Sequence, residues 1–283
     1  MSLFAMLKGN AKKALRGNWG KAIAAVSILL GFHLLLTMLR QYAFTLFAAQ
    51  PYDPAVLPFG ASVSLSETVI LSLSLLVTVL LGVPLQFGVN RWLYKLVKGE
   101  NAPISDVFTY FEHFHSYIKS IWLYIGIFVR SFLWGALFLC LPSAMLVLSN
   151  ELIRGRLIAV PGNYRVNVSL GAMGAVLSLI LLVLAGVLYL VFVNRYALAM
   201  YLFFEEPEAG TLKLIRQSVR YSHGYRGSLF LFSLSFVGWF LLCALGIPYF
   251  YTLPYYLAAA SLYALYIIEK NKLQDTATQS DTA

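Results

Sequence analysis

Charge is what this sequence has least of. Only 12% of its 283 residues are Asp, Glu, Lys or Arg, about half of the roughly 25% found in ordinary globular chains. A soluble domain cannot cover its surface so sparingly, so most of the surface must face something other than water. Acids are the scarcer sign, 12 against 21 basic residues. None of them lies inside a long apolar run, Glu67 and Glu151 standing only at run ends. That removes the paired carboxylates of general acid–base catalysis. Two cysteines, Cys140 and Cys243, build no disulfide framework and read as buried thiols in the spans. Also missing are a glycine-rich phosphate loop, a Gly-x-Ser-x-Gly elbow and a His-Glu-x-x-His helix. No enzyme, cofactor or metal site is expected.

What is there is apolar sequence: 60% hydrophobic residues and a mean hydropathy of +0.75. Crossing a hydrocarbon core about 30 Å thick takes roughly 20 helical residues. Six runs qualify, at 22–39, 68–89, 120–148, 170–193, 228–245 and 247–268. They are continuous rather than alternating, which favours helices over barrel strands. The third is overlong, so it is either tilted or ends at Pro142. Gly246 and Pro248 turn the fifth into the sixth. The fold class is therefore an all-α membrane protein of six transmembrane helices. It forms a single polytopic domain over 1–268, followed by a polar, disordered tail at 269–283.

Basic residues orient the chain. With the N-terminus in the cytoplasm, 16 of them fall inside and 4 outside (Arg40, Arg154, Arg156 and Arg165), while Arg130 lies within a span. This is the positive-inside pattern, and it places both termini in the cytoplasm. It also explains the net charge of +9 without nucleic acid, because cytoplasmic leaflets are anionic. Anionic lipid headgroups are the expected partners, with a protein partner on the cytoplasmic face as the other choice. Oligomeric state is not readable. A secretory signal is a poor fit, since the charged head would be 21 residues long and Phe47-Ala48-Ala49 is a weak cleavage site. Before the first span, Leu3, Phe4, Leu7, Ala11, Ala14 and Leu15 share one helical face, with Lys8, Lys12, Lys13 and Arg16 opposite. Such a helix lies in the membrane interface or packs on other parts of the same chain.

Similar segments precede the third and fifth spans, at 103–124 and 210–231. In each case an aromatic and a basic residue mark where the chain enters the membrane: Trp19 with Lys21, Tyr117 with Lys119, Tyr225 with Arg226. The second and fourth spans both end Asn-Arg-aromatic, at Asn90-Arg91-Trp92 and Asn194-Arg195-Tyr196. The pattern reads as three parallel copies, about 1–91, 92–195 and 196–268, of a cytoplasmic amphipathic helix plus a transmembrane hairpin. Parallel repeats occur in transporters but do not by themselves imply transport.

Several of these residues carry a resemblance. Gly17-Asn18-Trp19-Gly20-Lys21, Arg91 with Lys98-Gly99, and Ser105-Asp106-Val107-Phe108 resemble an uncharacterised bacterial integral membrane family, number 975 in the domain-of-unknown-function series. So do Leu234-Ser235-Phe236-Val237-Gly238-Trp239 and Pro254-Tyr255. The likeness runs over residues 5–268, with a longer and more basic outer loop at 149–169 as the departure. It implies a multi-pass architecture and a bacterial plasma membrane, and it supplies no catalytic residue.

Two polar residues stand out within the spans. Arg130 is 11 residues past Lys119, about 16 Å along a helix, which places it near mid-membrane. His33 has the matching position in the first unit, 12 residues past Lys21. An intramembrane arginine without an acid needs carbonyls, water or an anion. Arg130 with His33 is therefore a candidate anion or lipid contact, the alternative being an arginine bonded to backbone carbonyls. His113, His115 and Glu112 make a poor metal set, because residues two apart point to different helix faces. Gly171, Gly174 and the serines Ser72 and Ser74 suit close helix packing. Tyr249, Tyr251, Tyr255 and Tyr256 suit an outer aromatic belt. Glu205-Glu206-Pro207-Glu208 reads as an acidic loop and helix start. The leading function is a non-enzymatic accessory or scaffold that binds anionic lipid or a partner; the alternative is a transporter or flippase for an anionic or lipid-like substrate.

Overall fold

A computed structural model describes residues 3–47, 65–157, 160–243, 246 and 248–280. The 48–49 pair of the weak cleavage site, Leu245 and Ile247 lie outside the described residues. Among the described residues the chain is helical, without a strand. In chain order the α-helices are α1 (Leu3–Leu15), α2 (Trp19–Phe47), α3 (Leu65–Val77), α4 (Val83–Val97) and α5 (Thr109–Glu112). They continue with α6 (Phe114–Ile153), α7 (Tyr164–Val193), α8 (Ala199–Glu205), α9 (Thr211–Tyr221), α10 (Arg226–Leu234), α11 (Val237–Leu242) and α12 (Tyr249–Ser280). Five stretches are long and apolar enough to cross a membrane, or six if α9 and the α10–α11 stretch, bent by 84°, count as one. That fits a multi-pass membrane protein. The third run does not stop at Pro142, which lies inside α6, 40 residues long. The fifth is interrupted at Ser235–Phe236. Residues 1–268 read as one domain in the sequence. The folded chain instead groups into two compact units: Met1–Tyr124 with Met200–Ala209 and Phe236–Ala283, and Ile125–Ala199 with Gly210–Ser235.

In the first unit, burial changes abruptly along two helices. α2 buries Ala22, Ala25, Val26 and Leu29, whereas Leu34, Leu35, Leu39 and Leu46 are more than half exposed. α3 buries nothing, whereas α4 buries ten residues from Val83 to Tyr94. The change falls at one level, where Phe32 lies 3.0 Å from the Cβ position of Gly82. Beyond that level apolar side chains face outward on all sides, as a lipid-facing helix requires. Below it they form a protein core. There the backbone of Val107 approaches α4 so closely that a Cβ on Gly88 would lie 1.8 Å from its carbonyl oxygen.

Thr78–Gly82 is a π-helical turn between α3 and α4, and its cause is local. Pro84 has no N–H for the carbonyl four residues back, that of Leu80. The ladder slips, and the N–H of Val83 reaches Thr78 instead. Gly17, at φ +80°, lets α1 turn into α2.

α1 packs along α12, with Leu7, Ala11 and Leu15 buried. Phe4 meets Tyr263 edge-on at 6.0 Å, Lys8 Nζ sits 4.3 Å over Phe236, and Lys12 Nζ sits 5.4 Å over Tyr255. Burial against Phe236 lowers the pKa of Lys8 below the ordinary lysine value. These contacts correct the outer aromatic belt. Tyr255 is buried, and Tyr251 stacks on Trp19 at 4.6 Å. Tyr251 therefore lies against the residue that opens α2, and Tyr255 against Lys12 of α1. Nor does the last helix end at Ile268: it runs to Ser280, so the stretch read as a disordered tail begins as helix.

In the second unit α6 and α7 run antiparallel. Trp134 meets Phe192 at 4.2 Å, and the Cβ position of Gly135 is 3.4 Å from Tyr189. At the other end, Cβ atoms on Gly171 and Gly174 would reach within 2.8 Å of the Ser149 carbonyl and 2.5 Å of its Oγ. The glycines thus sit where the two backbones close. Ser74, by contrast, only bonds back to Leu71 of its own helix. Cys140 is exposed on α6 rather than buried.

Candidate functional site

The register of α6 on α7 sets Arg130 against the end of α7. Counting from Lys119 assumes that the membrane begins there, but α6 starts at Phe114 and spans about 60 Å at roughly 1.5 Å per residue. That is about twice a hydrocarbon core, so much of α6 lies outside one. Trp134 faces Phe192, two residues before the 3₁₀ turn Asn194–Tyr196 that ends α7. Arg130, one turn earlier on an antiparallel helix, falls level with that turn. Its Nη1 donates to the Gly126 carbonyl at 2.8 Å. Ile215 of α9 packs on the same glycine, 3.1 Å from its Cβ position. His33 likewise donates from Nδ1 to the Leu29 carbonyl, at 2.8 Å. The two residues belong to different units, and each has its hydrogen bond within its own helix.

Arg195 and Arg226 come together where sequence reasoning had seen only a repeated tripeptide and an interfacial anchor. The Arg195 guanidinium lies 4.7 Å from the Phe192 ring centroid and 5.7 Å from that of Trp134. Arg226 lies 5.8 Å from Phe192. The Nε of each is buried without a hydrogen-bond partner. Ser218 and Ser222 of α9 donate to the Arg195 carbonyl at 2.9 and 3.2 Å, which fixes the turn. On another face of α9, Lys213, Arg216, Gln217 and Arg220 line a shallow depression of about 350 Å³. Tyr225 caps α10, its carbonyl accepting from Ser228.

Charge is divided unequally between the units. The second holds nine basic residues, six of them at this end: Arg130, Arg195, Lys213, Arg216, Arg220 and Arg226. Its one acid, Glu151, lies 3.5 Å from Arg156 at the opposite end of α6. The first unit holds 12 basic and 11 acidic residues, and several of them pair. Glu205 accepts from Lys98 at 2.7 Å, Tyr94 at 2.9 Å and Lys272 at 3.3 Å. Lys95 meets Asp106 at 2.7 Å. Glu205 therefore ties α4, α8 and α12 together and opens no helix. The one available signal was its position, the first acid after 53 residues without one.

Of the expected interfacial anchors, Trp19, Tyr117 and Lys119 have partners within the chain. Trp19 stacks on Tyr251, and Lys21 is exposed. Lys119 donates to the Pro207 carbonyl and lies 6.0 Å over Phe203. The hydroxyl of Tyr117 donates to the Leu80 carbonyl at 2.9 Å, four residues before Pro84, which has no N–H to offer it. Tyr110, buried between Phe87 and Phe203, has its phenol pKa pushed up by that burial, against the opposing charge of Arg91. Among the described residues no three His, Cys, Asp or Glu groups come together as a metal site.

Residues 4–271 match the model of a family described as a protein of unknown function, DUF975. No curated protein and no solved structure matches.

Proposed function

Because the chain belongs to the DUF975 family, whose function is unknown, we propose from its own geometry that it is a non-enzymatic multi-pass membrane component. It acts as an accessory or scaffold whose basic end engages anionic lipid headgroups. The observation that carries this reading is the charge division: nine basic residues against one acid in the second unit, six of them at one end. Such an end attracts an anionic leaflet at about 1 kcal/mol per basic residue near the surface, within a Debye length. α9 suits the role, since it buries Leu214, Ile215, Ser218 and Tyr221 and leaves Lys213, Arg216 and Arg220 exposed.

The positive-inside pattern supports cytoplasmic termini and the family resemblance a bacterial plasma membrane; on that reading this end faces the cytoplasmic leaflet. Three copies of one unit remain the reading of the organisation. In support, Asp106 and α9 each fold back on the exit of the hairpin before them, and α1 packs on α12.

Native mass spectrometry of the full chain, extracted in mild detergent, tests the proposal. Anionic phospholipids should be retained in excess of their share of the membrane. Retained lipids that mirror the membrane composition would refute it.

A further inference from the structure

We propose that Arg195 and Arg226, gathered on Phe192, form a discrete site for the phosphate of an anionic phospholipid, with its acyl chains along the end of α7. This names a site for the lipid reading above and rests on it. The argument starts from what the pair lacks. Two guanidiniums at 4.7 and 5.8 Å from one ring repel each other, and both Nε groups are buried and unbonded. A buried donor left unmade is unfavourable. The unit's single acid is engaged elsewhere, by Arg156. A phosphate supplies both missing things: negative charge, and oxygens spaced to match the arginine fork.

Position selects a lipid over a free anion. Val187, Leu188 and Leu190 are 42–57% exposed, so apolar surface runs to within five residues of Arg195. That is about 7.5 Å along a helix, a separation that lets the chains lie on α7 while the phosphate reaches the guanidiniums. The aromatic base of Phe192 and Trp134 keeps the cations at this border. The 3₁₀ turn held by Ser218 and Ser222 presents Arg195 from a fixed backbone.

The test loads the full chain into nanodiscs of phosphatidylcholine containing 10% phosphatidylglycerol, and counts the phosphatidylglycerol retained on extraction by native mass spectrometry. Arg195→Gln with Arg226→Gln should lower retention roughly tenfold or more, as expected for losing charge-assisted hydrogen bonds. Arg154→Gln with Arg156→Gln should leave it unchanged. If the double variant does not fold, Arg226→Lys replaces it and should lower retention severalfold, because charge remains and the fork is lost. Equal retention by wild type and site variants overturns the site while leaving the general lipid reading standing. A wild type without preference for phosphatidylglycerol over phosphatidylcholine overturns both. Displacement by 10 mM inorganic phosphate would show that the site takes the free anion, which also overturns the lipid assignment.

A second inference stands on separate contacts, all in the first unit. We infer that α12 lies along the inner ends of α2 and α4 instead of crossing the membrane. Measured from the shared level of Phe32 and Gly82, Trp19 and Val97 lie 13 and 15 residues away on the same side. Near one end of α12, Tyr251 stacks on Trp19. Toward the other, Lys272 shares Glu205 with Lys98. A spanning helix carries such ends to opposite faces, about 30 Å apart across the core. Burial agrees: 56% of the apolar stretch of α12 is buried, against 22% or less in each of the other four.

Single cysteines on a Cys140→Ser, Cys243→Ser background decide it, with an impermeant maleimide applied to right-side-out and inside-out vesicles. Phe250→Cys should label from the same face as Glu100→Cys, and Tyr164→Cys from the other face. Labelling of Phe250→Cys with Tyr164→Cys, or from neither face, overturns the inference.

Discussion

Tyr117→Phe removes one oxygen, and the structure says what that oxygen does. Pro84 cannot donate to the Leu80 carbonyl, the helix answers with a π turn over Thr78–Gly82, and the Tyr117 hydroxyl fills the gap at 2.9 Å. A net hydrogen bond contributes about 0.5–1.5 kcal/mol, while a carbonyl left without a partner away from water costs about 1–3 kcal/mol. Leu80 is 38% exposed, on a face where the neighbouring exposed residues are apolar. Lipid there would offer no replacement donor. The expected cost of Tyr117→Phe is therefore about 1–3 kcal/mol. Reversible unfolding in mixed micelles, followed by tryptophan fluorescence, measures it. Pro84→Ala supplies the internal control, because it restores the N–H that Leu80 needs. On that background Tyr117→Phe should cost no more than about 0.5 kcal/mol, leaving a coupling of roughly 1 kcal/mol or more. An equal cost on both backgrounds would refute the reasoning, as would a cost below about 0.5 kcal/mol on the wild-type background.

Gly88→Ala should destabilise by about 2 kcal/mol or more, since its Cβ meets the Val107 backbone and not a movable side chain. Gly186→Ala, with nothing near its Cβ position, should be neutral or stabilising by up to about 1 kcal/mol; thermal unfolding compares the two. Glu205→Gln keeps the side-chain shape but loses the charge that meets Lys98 and Lys272. Because both lysines are partly exposed, the loss should be about 1 kcal/mol and shrink at high salt, which a denaturation series at two ionic strengths checks. Trp19→Ala should loosen α1 and the start of α12, through loss of the Tyr251 stack worth about 0.5–1.5 kcal/mol beyond its area. Faster amide exchange over residues 3–15 and 249–256 is the readout.

Helices that fit a multi-pass membrane protein were legible from composition, because a chain with 12% charged residues has little polar surface to offer water. The first four long apolar stretches were legible as well, and so was the close approach at Gly171 and Gly174. Those features depend on residues near one another along the chain: apolar runs, missing side chains, a missing N–H. Which residues share a level depends on how helices register, and that is tertiary. That Arg130 lies level with the end of α7 follows only from Trp134 packing against Phe192. Tyr251 looked like the far side until it was found on Trp19. The meeting of Arg195 with Arg226, 31 positions apart, exists only because α10 packs beside α7, and Glu205 became a junction only when α4, α8 and α12 met. Hydropathy says that a segment avoids water. Only packing says whether it avoids water in lipid, as the exposed leucines of α2 and α3 do, or in protein, as α4 and much of α12 do.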